Sequence, residues 1–401
     1  MAIYEKRSVI DTPAPALFAW HTRPGAFERL APPWEHLRIV SRHGGISDGS
    51  RLTLELRRGP IKTRWEALHR DFIEGQQFTD VQVAGPFKRW EHTHRVEPVS
   101  EAKATLVDHV EYVLPFGPLG AVAGGPFARR MLERLFVFRH RRIASDLGRH
   151  LAIGRGRRLR IVLTGRTGWV LTQLAAFLGT GGHVVRLFPT SEDPRTQPSE
   201  AAWGPTLVPD FAALEQADAV IHMGLGDLSG LLSALDERGS RARTVIALPT
   251  LALPSAAPVT TEALEGAVTR STRRVAVLLT PGVLAAWPAL EGSVPRDALS
   301  PSVDGALVGM DDLIGATYFA LCNDSISGLL DVTLPRLGAT AAALPSPVAR
   351  WVDELRVLKH LSPDAPSARH ITEFGFVPLN PTLADTVLAE MGWPKIGRAH
   401  V

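Results

Sequence analysis

Residues 161–171 read IVLTGRTGWVL, a short apolar run closed by Thr164 and Gly165 and followed by residues at helical spacing. The run has the length of a buried strand, and 167–182, TGWVLTQLAAFLGTGG, predicts a helix that stops on glycine. HVVRLFP at 183–189 supplies a second strand, so the three pieces form a strand–helix–strand unit, which requires a parallel sheet. ALEQADAVIHMGL (213–225) and ARTVIALPT (242–250) add further buried strands. The second half of the chain is therefore expected to be α/β with a parallel sheet. A glycine-rich link between strand and helix lets backbone amides approach a phosphate, and the helix N-terminus adds partial positive charge.

Upstream the pattern changes. Residues 151–158 carry glycine and arginine without periodicity and read as an exposed basic linker, separating a domain at 1–150 from one at 159–394. IYEKRSVID (3–11) alternates as a strand, and Pro13 to His21 suits a short helix with Asp11 or Thr12 as N-cap. Residues 51–58, 61–73, 77–84, 87–98 and 103–114 read as strands between turn signals such as Ala84-Gly85-Pro86. In 126–150, Met131, Leu132, Leu135, Phe136, Phe138 and Ile143 share an apolar helical face opposite arginines. The first half is thus expected to be α+β, an antiparallel sheet closed by a long C-terminal helix. The intervening LPFGPLGAVAGGPF (114–127) reads as a glycine-rich turn at its rim.

Bulk properties narrow the classes. A chain of 401 residues at 45% hydrophobic composition exceeds one ordinary core. Cys322 is the only cysteine, so no intramolecular disulfide is available and a reducing, cytoplasmic setting is expected. The charged, proline-containing N-terminus does not read as a signal peptide, and no apolar run suits stable membrane insertion. Arg139, Arg141, Arg142, Arg149, Arg155, Arg157 and Arg158 lack interleaved aromatics and read as a solvated face, so no nucleic-acid partner is expected. KIGRAHV at 395–401 reads as a non-native tail.

TGRTGWV (164–170), DAVIHMGL (218–225), GMDDLIGATYFALCNDSISGLLDVTLP (309–335) and EFGFVPLNPTLADTVL (373–388) together resemble the epimerase-like branch of the extended short-chain dehydrogenase/reductases, the NAD(P)-dependent epimerase/dehydratase type, over about 157–393. The resemblance implies a Rossmann-like fold binding NAD or NADP. Against the family's TGxxGxxG pattern, Gly165 and Gly168 hold the first two glycine positions, but Leu171 replaces the third and Arg166 a usually small residue. The implied cofactor-binding set is Gly165, Arg166, Thr167, Gly168 and Trp169, with Met223 and Gly224 beside adenosine and Thr190 after the second strand. Such enzymes use a tyrosine with a lysine four residues on, the lysine lowering the tyrosine pKa. Here Tyr4, Tyr112 and Tyr318 are followed at that spacing by Ser8, Phe116 and Cys322, and no lysine lies between Lys103 and Lys359. Thr250 and Ser255 are the weak candidates for the family's serine position. The resemblance therefore implies a degenerate active site, with dinucleotide binding either kept or lost.

GPFKRWEHTHRVEP (85–98) and DHVEYVLPFGPLGAVAGG (108–125) resemble START-like (SRPBCC, polyketide-cyclase-like) helix-grip domains, and fusion of the two domains in this order is a known arrangement. This implies an apolar interior for a hydrophobic small molecule. Strand alternation puts Trp90, His92 and His94 on one face, with Asp108 and Tyr112 on a neighbouring strand, and Trp65 reads as core or cavity wall. These six residues are the expected ligand set. Two histidines at i and i+2 can converge on a metal, but no third ligand lies near them in sequence, so no metal site is expected. Tyr318, in an apolar helical run, reads as core, and Asp311 and Asp312 read as helix N-capping residues. Two functions follow: a hydrophobic-ligand binding protein fused to a reductase-like domain without its chemistry, or an atypical active oxidoreductase or epimerase.

Overall fold

The first strands are β1 (Ala2–Ile10), β2 (His36–His43), β3 (Arg51–Arg58), β4 (Ile61–Ile73), β5 (Gln77–Ala84), β6 (Arg89–Ser100) and β7 (Lys103–Val113), with buried and more exposed side chains alternating along β1 and β6. The computed structural model describes residues 1–58, 60–154, 156–165, 169–189, 211–224, 228–248, 260–280, 282–286, 299–300, 308–333, 355–359, 367–380 and 383–390, which divide into two compact units between residues 148 and 149. In the first unit the seven strands form one antiparallel sheet in the order β1-β7-β6-β5-β4-β3-β2. Helices α1 (Ala14–Thr22) and α2 (Ala26–Leu30) follow β1, and α3 (Gly117–Arg149) follows β7. Helix α3 lays Ile143 and Leu147 against Leu17, Phe18 and Trp20 of α1, while Leu132 and Phe136 pack on Tyr4, Trp90 and Tyr112. A buried two-point ion pair, Arg29 Nε and Nη2 to the Asp146 carboxylate at 2.8 and 2.6 Å, ties α2 to α3.

Three local expectations are corrected in this region. Pro13, not Asp11 or Thr12, caps α1, and no side chain bonds to its first turn. Pro15 in that turn has no N–H, which removes one donor that a cap would have served. Helix α3 begins at Gly117, so the segment expected as a glycine-rich turn is helical in backbone, with Pro126 inside it. Val122, whose carbonyl that proline leaves without a donor, is exposed, and water can take the bond. Third, residues 151–154, read as the start of a linker, form a π-helical turn together with His150. His150 packs on Phe177 and Tyr318, and a Cβ on Gly154 would meet the Tyr318 hydroxyl, so this glycine serves close approach rather than flexibility.

The second unit alternates strands and helices: β8 (Arg160–Gly165), α4 (Trp169–Thr180), β9 (Val184–Pro189), α5 (Phe211–Gln216), β10 (Ala219–Met223), α6 (Leu228–Glu237), β11 (Thr244–Leu248), α7 (Thr261–Arg270) and β12 (Arg274–Leu279). Then come β13 (Gly282–Ala286), β14 (Leu299–Ser300), β15 (Val308–Gly309), α8 (Met310–Cys322), β16 (Gly328–Asp331), β17 (Leu355–Lys359), β18 (Arg369–His370) and α9 (Leu383–Glu390). The main sheet, β18-β16-β12-β11-β10-β8-β9, is parallel throughout, and a small sheet runs β14-β17-β13-β15. All five residues of β10 are buried, as expected for a parallel strand covered on both faces. The chain is thus an antiparallel α+β unit followed by a parallel α/β unit.

Asp311 and Asp312 correct another expectation. Gly309 caps α8 without a side-chain bond, and the two acids occupy the first turn. Asp312 is fully buried, where it accepts from Arg149 Nη2 at 2.7 Å and from the amides of Leu379 and Asn380 at 2.8 and 3.2 Å. It anchors neighbouring chain segments instead of capping its helix.

Candidate functional site

On the face of the first unit's sheet that meets α3, Trp90, His92 and His94 of β6 are buried together with Asp108 and Tyr112 of β7. Trp65 of β4 is half-buried and meets Trp90 edge-on at 5.2 Å. The six residues expected from sequence therefore come together. Strand register explains how: His94 lies opposite Asp108, and Trp90 opposite Tyr112.

The structure adds residues that the sequence reading missed. Asp80 of β5 lies opposite His92, because the hairpin through Gly85 and Pro86 fixes that register. His140, one helical turn beyond Phe136 on α3, reaches the same centre, as does His21 of α1, whose ring lies 6.0 Å from that of His94. The signals were present, in a two-strand register and an i, i+4 spacing, but neither can be used until the partners are known.

The polar centre is densely linked. Asp108 Oδ1 lies 2.9 Å from His92 Nε2 and 2.6 Å from His94 Nδ1, and Asp108 Oδ2 lies 2.6 Å from His140 Nε2. His140 Nδ1 in turn contacts Ser8 Oγ at 2.8 Å. Asp80 Oδ1 lies 3.1 Å from His92 Nδ1 and 3.5 Å from His94 Nε2, and Asp80 Oδ2 accepts from Trp90 Nε1 at 3.3 Å. The His94 Nδ1 approach to Asp108 lacks hydrogen-bond alignment, so this buried nitrogen has no hydrogen-bond partner, and neither has His21 Nε2. Phe78 stacks on His94 with ring centroids 4.3 Å apart, and Phe136 meets His92 edge-on at 5.1 Å.

Burial alone would lower the His92 pKa, but the Asp80 and Asp108 carboxylates outweigh it and push it up to about 9. Burial would raise both acids; instead His92 and His94 hold Asp80 well below the usual carboxylate range, and His94, His140 and His92 do the same for Asp108. His21 is pushed down to about 4 by burial and then by His94. Four imidazoles and two carboxylates amid aromatic rings form a centre able to hold a polar group, move a proton or ligate an ion.

In the second unit, Gly165 and Met223 end the neighbouring strands β8 and β10, and Gly224 follows. Gly165 has φ +91°, and a Cβ there would lie 2.1 Å from the Met223 carbonyl oxygen. The adjacent strand therefore demands glycine whether or not a cofactor binds. Leu171 is buried in α4. Arg166, Thr167, Gly168, Thr190, Thr250, Ser255 and the 395–401 tail lie outside the described residues, and Trp169 is described in backbone only. Tyr318 is buried, with its hydroxyl 3.1 Å from His183 Nε2 and its ring edge-on to Phe177.

Residues 10–136, which lie in the first unit, match a family model described as polyketide cyclase / dehydrase and lipid transport. Among curated proteins, none matches the chain significantly. The chain is similar in structure to a nucleoside-diphosphate sugar epimerase from Corynebacterium glutamicum, at TM-score 0.66 and 20% identity over 97% of this chain and 90% of that one. At that identity the likeness concerns the fold. Zhui aromatase/cyclase from Streptomyces sp. R1128 matches at TM-score 0.30 and 14% identity over 38% of this chain and 97% of its own. Norcoclaurine synthase from Thalictrum flavum matches at TM-score 0.27 and 15% identity over 31% of this chain and 75% of its own. Among the described residues, no helix is long and apolar enough to cross a membrane.

Proposed function

We propose that the first unit, a helix-grip domain, binds a hydrophobic small molecule whose polar group is received by the Asp80, His92, His94 and Asp108 centre. The second unit is then a Rossmann-like scaffold that lacks short-chain-reductase chemistry. The observation that carries this reading is the burial of several ionisable groups on one aromatic-lined face. Taking such groups out of water is costly, and folds that need only stability fill such faces with apolar side chains. Trp65, Trp90, Tyr112 and Phe136 offer the apolar wall, and His21 Nε2, buried without a hydrogen-bond partner, offers an atom that a ligand could engage.

For the second unit, support comes from the sequence and from Gly165. No tyrosine is followed four residues on by lysine, Tyr318 is core, and Gly165 is explained by Met223 rather than by a pyrophosphate. NAD or NADP, if bound, serves structure or regulation.

The reading is tested with a fluorescent hydrophobic probe and with dinucleotides. Saturable probe binding is expected in the wild type, with loss of at least about tenfold in Trp90→Ala, the size expected from losing one buried aromatic anchor. NADH and NADPH are expected to show no turnover with carbonyl compounds or sugar nucleotides. Dinucleotide-dependent turnover, or probe binding untouched by Trp90→Ala, overturns it.

A further inference from the structure

Asp80, His92 and His94 are arranged more tightly than a ligand anchor requires. The near nitrogens of both imidazoles, His92 Nδ1 and His94 Nε2, converge on the single oxygen Asp80 Oδ1 at 3.1 and 3.5 Å. One donor atom from each residue lies within 4.8 Å of the other two. Two bonds of about 2.1 Å meeting at a transition-metal ion hold their donor atoms about 3 to 3.5 Å apart, which is the spacing of each imidazole nitrogen from Asp80 Oδ1.

What stands behind the three donors also fits. The far nitrogens, His92 Nε2 and His94 Nδ1, both face Asp108 Oδ1, at 2.9 and 2.6 Å, and His140 Nε2 braces the other Asp108 oxygen. The carboxylate behind His92 accepts from Nε2 and so fixes the tautomer that leaves Nδ1 free for a metal, and it stands close behind His94 Nδ1 as well. Trp90 Nε1 engages Asp80 Oδ2, leaving Oδ1 for the ion. As a closed hydrogen-bond network the cluster is incomplete, since buried His94 Nδ1 lacks a partner. Asp80 is the least buried of the three, with its side chain 18% exposed, which gives an ion a way in.

We propose that Asp80 Oδ1, His92 Nδ1 and His94 Nε2 bind a divalent first-row transition ion of the zinc or ferrous class, with Asp108 and His140 as its supporting shell. Two imidazoles select against magnesium and calcium, and three protein donors leave at least one coordination position open. That position faces the interior assigned above to the hydrophobic molecule and suits an oxygen donor on it. The inference shares that face, but metal binding is measured without any organic ligand, so either reading can fail alone.

The test uses the untagged full chain, stripped by a chelator and titrated with Co2+ followed by visible absorption. One equivalent is expected to bind, and Zn2+ to displace it. Asp80→Asn and His94→Gln, checked for fold by circular dichroism, are expected to weaken binding by more than about tenfold, and Asp108→Asn by about 10- to 100-fold with stoichiometry kept. Absence of binding to the wild type at millimolar Co2+, or binding unchanged in both ligand variants, overturns the proposal. Should the variants not fold, X-ray absorption of the Zn2+-loaded wild type decides it. Two imidazoles and oxygen donors around zinc are expected, and a shell without both imidazoles overturns it.

Discussion

In the second unit the buried Arg149 guanidinium meets a carboxylate, Asp312, that two backbone amides also hold, and it donates besides to the Asp311 carbonyl. In the first unit, His92 and His94 face carboxylates that they share with each other, and one imidazole nitrogen goes without a hydrogen bond. Arg274 repeats the first pattern, donating to the carbonyls of Ala320 and Leu321 in the last turn of α8 and of Ile326 beyond it. Buried charge tied to backbone fastens segments of chain together. Buried charge that answers mainly to other titratable side chains, with atoms to spare, is arranged for something that arrives. This contrast supports the proposal that the ligand is received on the face between α3 and the antiparallel sheet.

The contrast can be broken most forcefully at the fastened pairs. Asp312→Ala leaves Arg149 buried without its carboxylate and is expected to cost about 3–5 kcal/mol, measured by urea unfolding; Asp146→Ala should do the same to Arg29 in the first unit. A loss under about 1 kcal/mol would mean that these pairs are not fasteners.

Glu28 sharpens the comparison, because it is a buried acid paired with Arg42 at 3.0 Å and yet stands outside the polar centre. Burial pushes its pKa up to about 7, against the pull of Arg42. A raised folded-state pKa gives stability that is fully present below the unfolded value and is lost as pH rises through the folded one. Wild type should therefore lose stability relative to Glu28→Gln between about pH 4.5 and 7, by at most about 3 kcal/mol. A constant difference across that range would contradict the assignment.

Gly165→Ala should cost about 1–3 kcal/mol from its left-handed backbone alone, with the Met223 contact adding to it. That cost should appear in thermal unfolding without any dinucleotide; a penalty seen only with dinucleotide would restore Gly165 as a cofactor residue. Smallest of all, Tyr318→Phe should lose the His183 hydrogen bond, about 1 kcal/mol, and change no activity.

Much of the architecture was legible because strand alternation is local. The expected strands at 51–58, 61–73 and 77–84 are those found, and the even spacing of Trp90, His92 and His94 put them on the buried face. Composition misled where it stood in for packing. Glycines suggested a turn at 114–127 and a linker at 151–158, yet helix α3 runs through the first from Gly117, and Gly154 makes room for Tyr318. The missing third donor, Asp80, lies twelve residues from His92 in sequence and directly across the hairpin in space. Spacing along the chain could not show it, whereas the register set by the turn could.

The most direct measurement is native mass spectrometry of the gently purified chain beside Trp90→Ala. Wild type is expected to carry a hydrophobic small molecule that the variant has lost, and any dinucleotide should be retained equally by both. A wild type that carries a dinucleotide alone, or a hydrophobic molecule held equally by the variant, would contradict the assignment of the chemistry to the first unit.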